Sequence, residues 1–192
     1  MPDAIAALPD RLLITPEPAG MDRTDFIERL SGALLRGIEL VQLRSKTMAP
    51  RAYADLAGVA LELCHRHGAR MIANAPDHFA QSIETDGLHL SSAKLMQCTV
   101  RPLPTDKLLA AACHSLEQLL HAQKIGVDLV TLSPVLATTT HPDATPMGWE
   151  RFAELTSQVR IPVYALGGMK TNHVVVARSH GARGIAAISS LW

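Results

Sequence analysis

The sequence predicts an α/β fold, a single-domain (β/α)8 or TIM barrel over residues 1–192. Three observations lead there. Short β-rich apolar runs alternate with amphipathic stretches along the whole chain, and eight such runs can be counted. Those runs are apolar throughout instead of alternating, as strands of a parallel sheet buried on both faces are. A length of 192 residues allows one domain with a substantial core.

The elements follow in order. "RLLITP" reads as strand one, and "DRTDFIERLSGALLRG" has helical spacing through Phe26, Leu30 and Leu34. "IELVQL" is strand two. "PRAYADLAGVALELCHRHG" is a helix with Tyr53, Leu56, Ala60 and Leu63 on one side, started by Pro50 and stopped by Gly68. "ARMIAN" is strand three, followed by a short helix in "PDHFAQSI", and "GLHL" is strand four. "KLLAAACH" is strand five, and Ser115 with Gln118 forms a capping-box pattern opening "LEQLLHAQKIG". "DLVTLSPV" is strand six, then a loop and the helix "WERFAELTSQV". "IPVYALGG" is strand seven, "TNHVVVARSHG" the next helix, and "GIAAIS" strand eight. The chain is short for this fold, and two economies account for it. The helix after strand four is reduced, since "SSAKLMQCTVRPLPTD" allows barely two turns before its prolines. After strand eight only "SLW" remains, so the last outer helix is missing. Strands eight and one are then expected to leave apolar surface uncovered, for a homodimer or a docked domain.

Composition excludes several classes. Lys plus Arg is 18 and Asp plus Glu is 18, so no global field draws the chain to nucleic acid or to an anionic membrane. The opening "MPDAIAALPD" has neither a basic flank nor a long apolar run and reads as neither signal peptide nor anchor. Cys64, Cys98 and Cys113 lie far apart without a CxxC pair, and read as core residues of a reduced, cytoplasmic protein. The histidines lack zinc-ligand spacing.

In such barrels the chemistry sits at the C-terminal ends of the strands. Strand two ends in Gln42, Arg44 and Lys46, strand three in Asn74, strand seven in Gly167-Gly168 and strand eight in Ile188-Ser189. Thr138, Thr140 and His141 follow strand six. Arg44 and Lys46, two apart at the end of a buried strand, point to one side and are read as facing a bound anion. The glycine pair is either a nest of backbone amides for phosphate or a plain tight turn. Thr138 and Thr140 either cap turns or donate hydroxyls to that phosphate. His89 reads as a core histidine, His114 as a local hydrogen-bonding partner, Trp149 as packing, and Cys113 as an inert core thiol.

The ordered set "VQLRSK", "GLHL", "CHSLEQL", "LSPVLATTTHP", "YALGGM" and "GIAAIS" resembles the thiamine phosphate synthase and TenI superfamily, over nearly the whole chain. "RPLP", "SPVLATTTHP" with its following "GW", and the ending "SSLW" are similar to the synthase-like domain found fused behind Nudix hydrolases; no Nudix signature occurs here. The resemblance implies that Gln42, Arg44 and Lys46 contact a pyrimidine diphosphate and that Asn74 reads the pyrimidine. Thr138 and Thr140 match its T-x-T loop, and Gly167, Gly168, Ile188 and Ser189 would hold a thiazole phosphate. The departures concern the metal. The synthase pattern places Mg²⁺ carboxylates where this chain has Ala75 and Lys94, a pyrophosphate-binding serine at Ala112, and a lysine at His141. Mg²⁺ wants carboxylate oxygens, so no metal and no other cofactor is expected. TenI-type members instead tautomerise a thiazole carboxylate phosphate without metal, through a histidine after strand six. The aligned position is Pro134, and His141 stands seven residues further on as the candidate acid/base. The readings carried forward are a TenI-like tautomerase, a non-catalytic module that holds thiamine phosphates for a Nudix hydrolase, a synthase with an altered metal site, and an unrelated phosphate-sugar barrel.

Overall fold

The computed structural model describes residues 8–74, 84–138 and 144–192. Eight parallel strands close into a barrel in sequential order: β1 (Arg11–Ile14), β2 (Leu40–Arg44), β3 (Arg70–Asn74), β4 (Gly87–Leu90), β5 (Leu108–Cys113), β6 (Leu129–Leu132), β7 (Val163–Ala165) and β8 (Gly184–Ala187). The described helices are α1 (Arg23–Leu35), α2 (Pro50–Arg66), α3 (Ser92–Gln97), α4 (Leu116–Lys124), α5 (Gly148–Thr156) and α6 (Val174–Ser179). The helix expected in "PDHFAQSI" lies outside the described residues. No helix among them is long and apolar enough to cross a membrane.

Local chemistry sets the helix ends. Asp22 caps α1 by accepting from the Thr24 and Asp25 N–H groups, and Phe26, Leu30 and Leu34 form its buried face. Pro50 stands in the first turn of α2, whose Tyr53, Leu56, Ala60 and Leu63 are buried. Ser91 caps the six-residue α3, the reduced helix that the two prolines imply. At α4 the Ser115 hydroxyl accepts from the Gln118 N–H. The Gln118 side chain reaches back one residue further than a capping box requires, accepting from the His114 N–H at 2.7 Å.

Apolar residues fill two regions, the shell between strands and helices and the barrel interior. The ladder registers stack the interior into layers, because stepping two strands round an eight-stranded barrel advances the level by about two residues. Leu40, Gly87, Leu129 and Gly184 form the lowest layer, and Leu12, Ile72, Ala110 and Tyr164 the next. Gln42, His89, Thr131 and Ala186 form the third, with Ile14, Asn74, Ala112 and Leu166 above it. Leu8 and the Tyr164 hydroxyl, which donates to the Pro9 carbonyl at 2.6 Å, close the base.

The expected apolar gap beside β8 and β1 is not there. The outward side chains Leu13, Ile185 and Ala187 are 0%, 0% and 4% exposed. Residues after β8 cover this face: Leu191 is buried, the Trp192 ring lies on Phe26 at 4.9 Å between centroids, and the Arg36 guanidinium donates to the Leu191 carbonyl at 3.2 Å. The large apolar side chains that are exposed lie elsewhere, on the helices and the connection after α3.

Candidate functional site

The C-terminal strand ends surround a cleft of about 690 Å³. Gln42, Arg44, Lys46, Asn74, Thr138, Gly167, Gly168, Ile188 and Ser189 all line it. The sequence-predicted Thr140 and His141 lie outside the described residues. Lys94, on α3, does not line the cleft.

The cationic end of β2 is held by its neighbours. The buried Thr15 hydroxyl accepts from the Arg44 N–H at 3.0 Å, and the Thr15 N–H donates to the Gln42 carbonyl at 3.0 Å. The Glu17 carboxylate accepts from the Ser45 hydroxyl and from the Lys46 N–H. Burial pushes the Glu17 carboxyl up, but these hydrogen bonds outweigh it and hold the group below its ordinary range. The buried Tyr53 hydroxyl donates to the Leu43 carbonyl at 2.8 Å and accepts from the Asn74 N–H at 3.2 Å, tying β2 to β3 just below the site. Burial pushes that phenol well above its usual pKa, so it stays a donor.

On the opposite wall the loop after β6 closes against the end of β7. The Val135 N–H donates to the Leu166 carbonyl at 2.9 Å and the Leu136 N–H to the Gly167 carbonyl at 3.1 Å. Gly167 and Gly168 have φ of 98° and 66°, the left-handed region. Among the described residues no acceptor meets the backbone N–H of Gly167, Gly168 or Ser189. Such a set of amides suits an oxyanion. The element that follows is a 3₁₀ turn, Thr171–His173, leading into the six-residue α6. The donors are therefore loop amides and not a long helix N-terminus.

The floor brings together Gln42, expected there, His89, which the sequence reading placed in the core, and Thr131, to which it gave no role. Gln42, His89 and Thr131 are 1%, 6% and 1% exposed. Gln42 Oε1, His89 Nδ1 and Thr131 Oγ1 are buried with no hydrogen-bond partner. A buried polar atom left unpaired costs about 1–3 kcal/mol. Burial, followed by the charge of Arg44, pushes the His89 pKa down to about 4, so the ring is neutral at pH 7. On the rim His114 places Nδ1 2.9 Å from the Ser133 carbonyl, an acceptor, so Nδ1 is the donor in that contact. Sequence reasoning also missed Lys170, which lines the cleft beside the glycine pair. Trp149 packs edge-on to Phe152 at 5.8 Å, as expected, and burial pushes the Cys113 thiol up to about 12.

A family model described as thiamine monophosphate synthase (TMP-TENI) matches residues 12–191. The chain belongs to the thiamine monophosphate synthase family. It is 36% identical over 165 residues to the "Putative thiamine-phosphate synthase 2" of Aquifex aeolicus (strain VF5), covering 86% of this chain and 89% of that one. It is 33% identical over 183 residues to the thiamine-phosphate synthase of Synechococcus sp. (strain WH7803), covering 94% of this chain but 52% of the relative, so it spans about half of that protein. The solved thiamine phosphate pyrophosphorylase from Pyrococcus furiosus superposes with a TM-score of 0.75 at 24% identity over 94% of this chain and 85% of that one, a likeness of fold.

In this member of the thiamine monophosphate synthase family the described lining of the cleft is cationic. Arg44, Lys46 and Lys170 line it, and no described lining residue is Asp or Glu. No three His, Cys, Asp or Glu side chains converge among the described residues. Ala75 lies outside them. The described donor set does not fit Mg²⁺, a hard ion that takes carboxylate oxygens.

Proposed function

We propose that this chain is a TenI-like barrel that binds a thiazole phosphate or thiamine phosphate without Mg²⁺. Its reaction on a thiazole carboxylate phosphate is a tautomerisation by proton transfer. The observation that carries this reading is the charge of the cleft, whose described lining has three cations and no carboxylate. Gly167, Gly168, Ile188 and Ser189 hold the phosphate through backbone amides, assisted by Thr138 and Thr140. Arg44 and Lys46 take the carboxylate, and Gln42 and Asn74 flank the ring. The proton carrier is a histidine, either His141, seven residues beyond the position of the TenI-type histidine, or His114, which lines the cleft with Nδ1 2.9 Å from the Ser133 carbonyl.

A second reading, thiamine-phosphate synthase, is favoured by the names of the relatives. It requires metal carboxylates from residues outside those described. The test is calorimetric titration with thiazole phosphate, its carboxylated form and thiamine phosphate, each with and without Mg²⁺, followed by NMR observation of the tautomerisation. Metal-independent binding with turnover lost in either H141A or H114Q supports the proposal. Binding that needs Mg²⁺, with pyrophosphate released from a pyrimidine diphosphate, overturns it in favour of the synthase. Binding without any turnover leaves a module that holds thiamine phosphates for a partner such as a Nudix hydrolase.

A further inference from the structure

Thr131 sits on β6 with its side chain inward, across the ladder from Ala112 of β5 and Tyr164 of β7. Its hydroxyl is buried and meets no partner. Valine has the same shape without the unpaired oxygen, so the hydroxyl calls for an explanation outside the fold. The same holds for His89, which lies in the same layer and whose Nδ1 is buried with no hydrogen-bond partner. The fourth member of that layer is Ala186, and Ala112 lies in the layer above, so small side chains leave space beside the two polar ones. Both layers open into the cleft.

We infer that Thr131, with His89, determines specificity by reading an uncharged hydrogen-bonding edge of the ring that the cleft admits, beneath the rim that holds the anion. This rests on the reading of the cleft as a phosphate-ligand site and deepens it. Nothing in the layer of Gln42, His89, Thr131 and Ala186 is ionised at pH 7, whereas the cations and free amides stand at the strand ends and loops above. A phosphate pressed into that floor would lose its solvation without gaining a countercharge, and a neutral heteroaromatic edge would not. Threonine and neutral histidine can each donate or accept, so the pair fits a ring nitrogen or an exocyclic amine. A ligand with a neutral ring and an anionic tail therefore enters in one orientation.

The experiment compares wild type with Thr131→Val and Thr131→Ser. The probes are an uncharged thiazole alcohol, an uncharged aminopyrimidine alcohol and, separately, inorganic phosphate. Binding is followed by the ¹⁵N resonances of the His89 ring and the amide resonances of Gly168 and Ser189. The expected result is that one ring alcohol shifts His89 in wild type and Thr131→Ser. Thr131→Val should bind it roughly 3- to 10-fold more weakly. Phosphate should shift Gly168 and Ser189 equally in all three proteins. The unliganded Val variant should melt a few degrees higher, since it loses an unpaired hydroxyl. Equal ring binding by Thr131→Val, or no shift of His89 by either alcohol in wild type, overturns the inference. A fall in phosphate binding parallel to ring binding also overturns it, by showing a general structural effect. Absence of phosphate shifts in wild type, with His89 still responding to a ring, sinks the phosphate reading alone.

Discussion

Gly168→Ala separates two costs that the structure keeps apart. The first is conformational, because φ of 66° costs an L-residue about 1–2 kcal/mol. The second is steric. An added Cβ would stand 2.5 Å from the Ala137 carbonyl oxygen and 2.8 Å from Leu136 Cβ. That loop cannot easily withdraw, since the Leu136 N–H is bonded to Gly167 and the Val135 N–H to Leu166. Overpacking of this kind costs about 1–3 kcal/mol. The total is about 2–5 kcal/mol, which for a chain of this size lowers Tm by roughly 4–20 °C. Gly126→Ala is the control: φ is 77°, and nothing lies within 4 Å of its added Cβ, so it has only the conformational cost. Calorimetric melts of both variants give the steric part by difference. Equal losses of Tm would refute the argument, because the close approach of the β6 loop to Gly168 would then resist nothing. A folded Gly168→Ala should also bind phosphate less tightly than Gly126→Ala, since only the former moves the amides at the cleft.

Three further outcomes are expected. Tyr53→Phe removes the hydroxyl that links the Leu43 carbonyl to the Asn74 N–H, so denaturant unfolding should show a loss of about 0.5–1.5 kcal/mol; unchanged stability would mean that the hydroxyl ties nothing. His89 should titrate near pH 4 by NMR. Its folded pKa lies below the unfolded 6.5, so the contribution is complete above pH 6.5 and lost as pH falls toward 4, by up to about 1.4 kcal/mol per pH unit. His89→Gln should lack that slope, and a midpoint of 6 or higher in wild type would contradict the buried, neutral assignment. Lys170→Ala, at an exposed position, should leave stability within about 0.5 kcal/mol but weaken phosphate binding several-fold at low salt, and equal affinity would remove Lys170 from the anion site.

Much of this was legible in the sequence because it is local. Turn chemistry and apolar runs located the eight strands, Pro50 and Gly68 bracketed α2, and the prolines after Cys98 limited α3. Residues at strand ends could be assigned to the cleft once the barrel was inferred. His89 and Thr131 could not, since strands buried on both faces do not say which face is the interior. "GLHL" and "DLVTLS" place a polar residue on one phase of an apolar run. Only the ladders, pairing His89 with Ala110 and Thr131 with Ala112 and Tyr164, turn that phase inward and bring both to one level. Lys170 was hidden for another reason, as it follows the glycine pair with no strand periodicity to orient it. The end of the chain misled because its cover is long-range: Arg36 meets Leu191, and Phe26 meets Trp192, with no local pattern to announce either.

The placement of the polar layer also explains how the barrel tolerates it. Three unpaired polar groups at about 1–3 kcal/mol each are comparable to a typical domain's whole margin of roughly 5–15 kcal/mol. The two layers beneath are almost wholly apolar and plugged by Leu8 and Tyr164, so cohesion is concentrated at the base. Unpaired groups at the top can be met by a ligand, whereas the same groups one layer lower could not be reached. Arg44 makes the arrangement directional. Its charge adds to burial, the larger cause, in opposing protonation of His89, so the floor stays neutral while the rim stays cationic. A ligand entering tail-first would set its phosphate into a floor with no countercharge and leave the Gly168 and Ser189 amides unmet. Ring-down binding satisfies both sets, so the alternation of strand phase that buries His89 and Thr131 is also what orients the ligand.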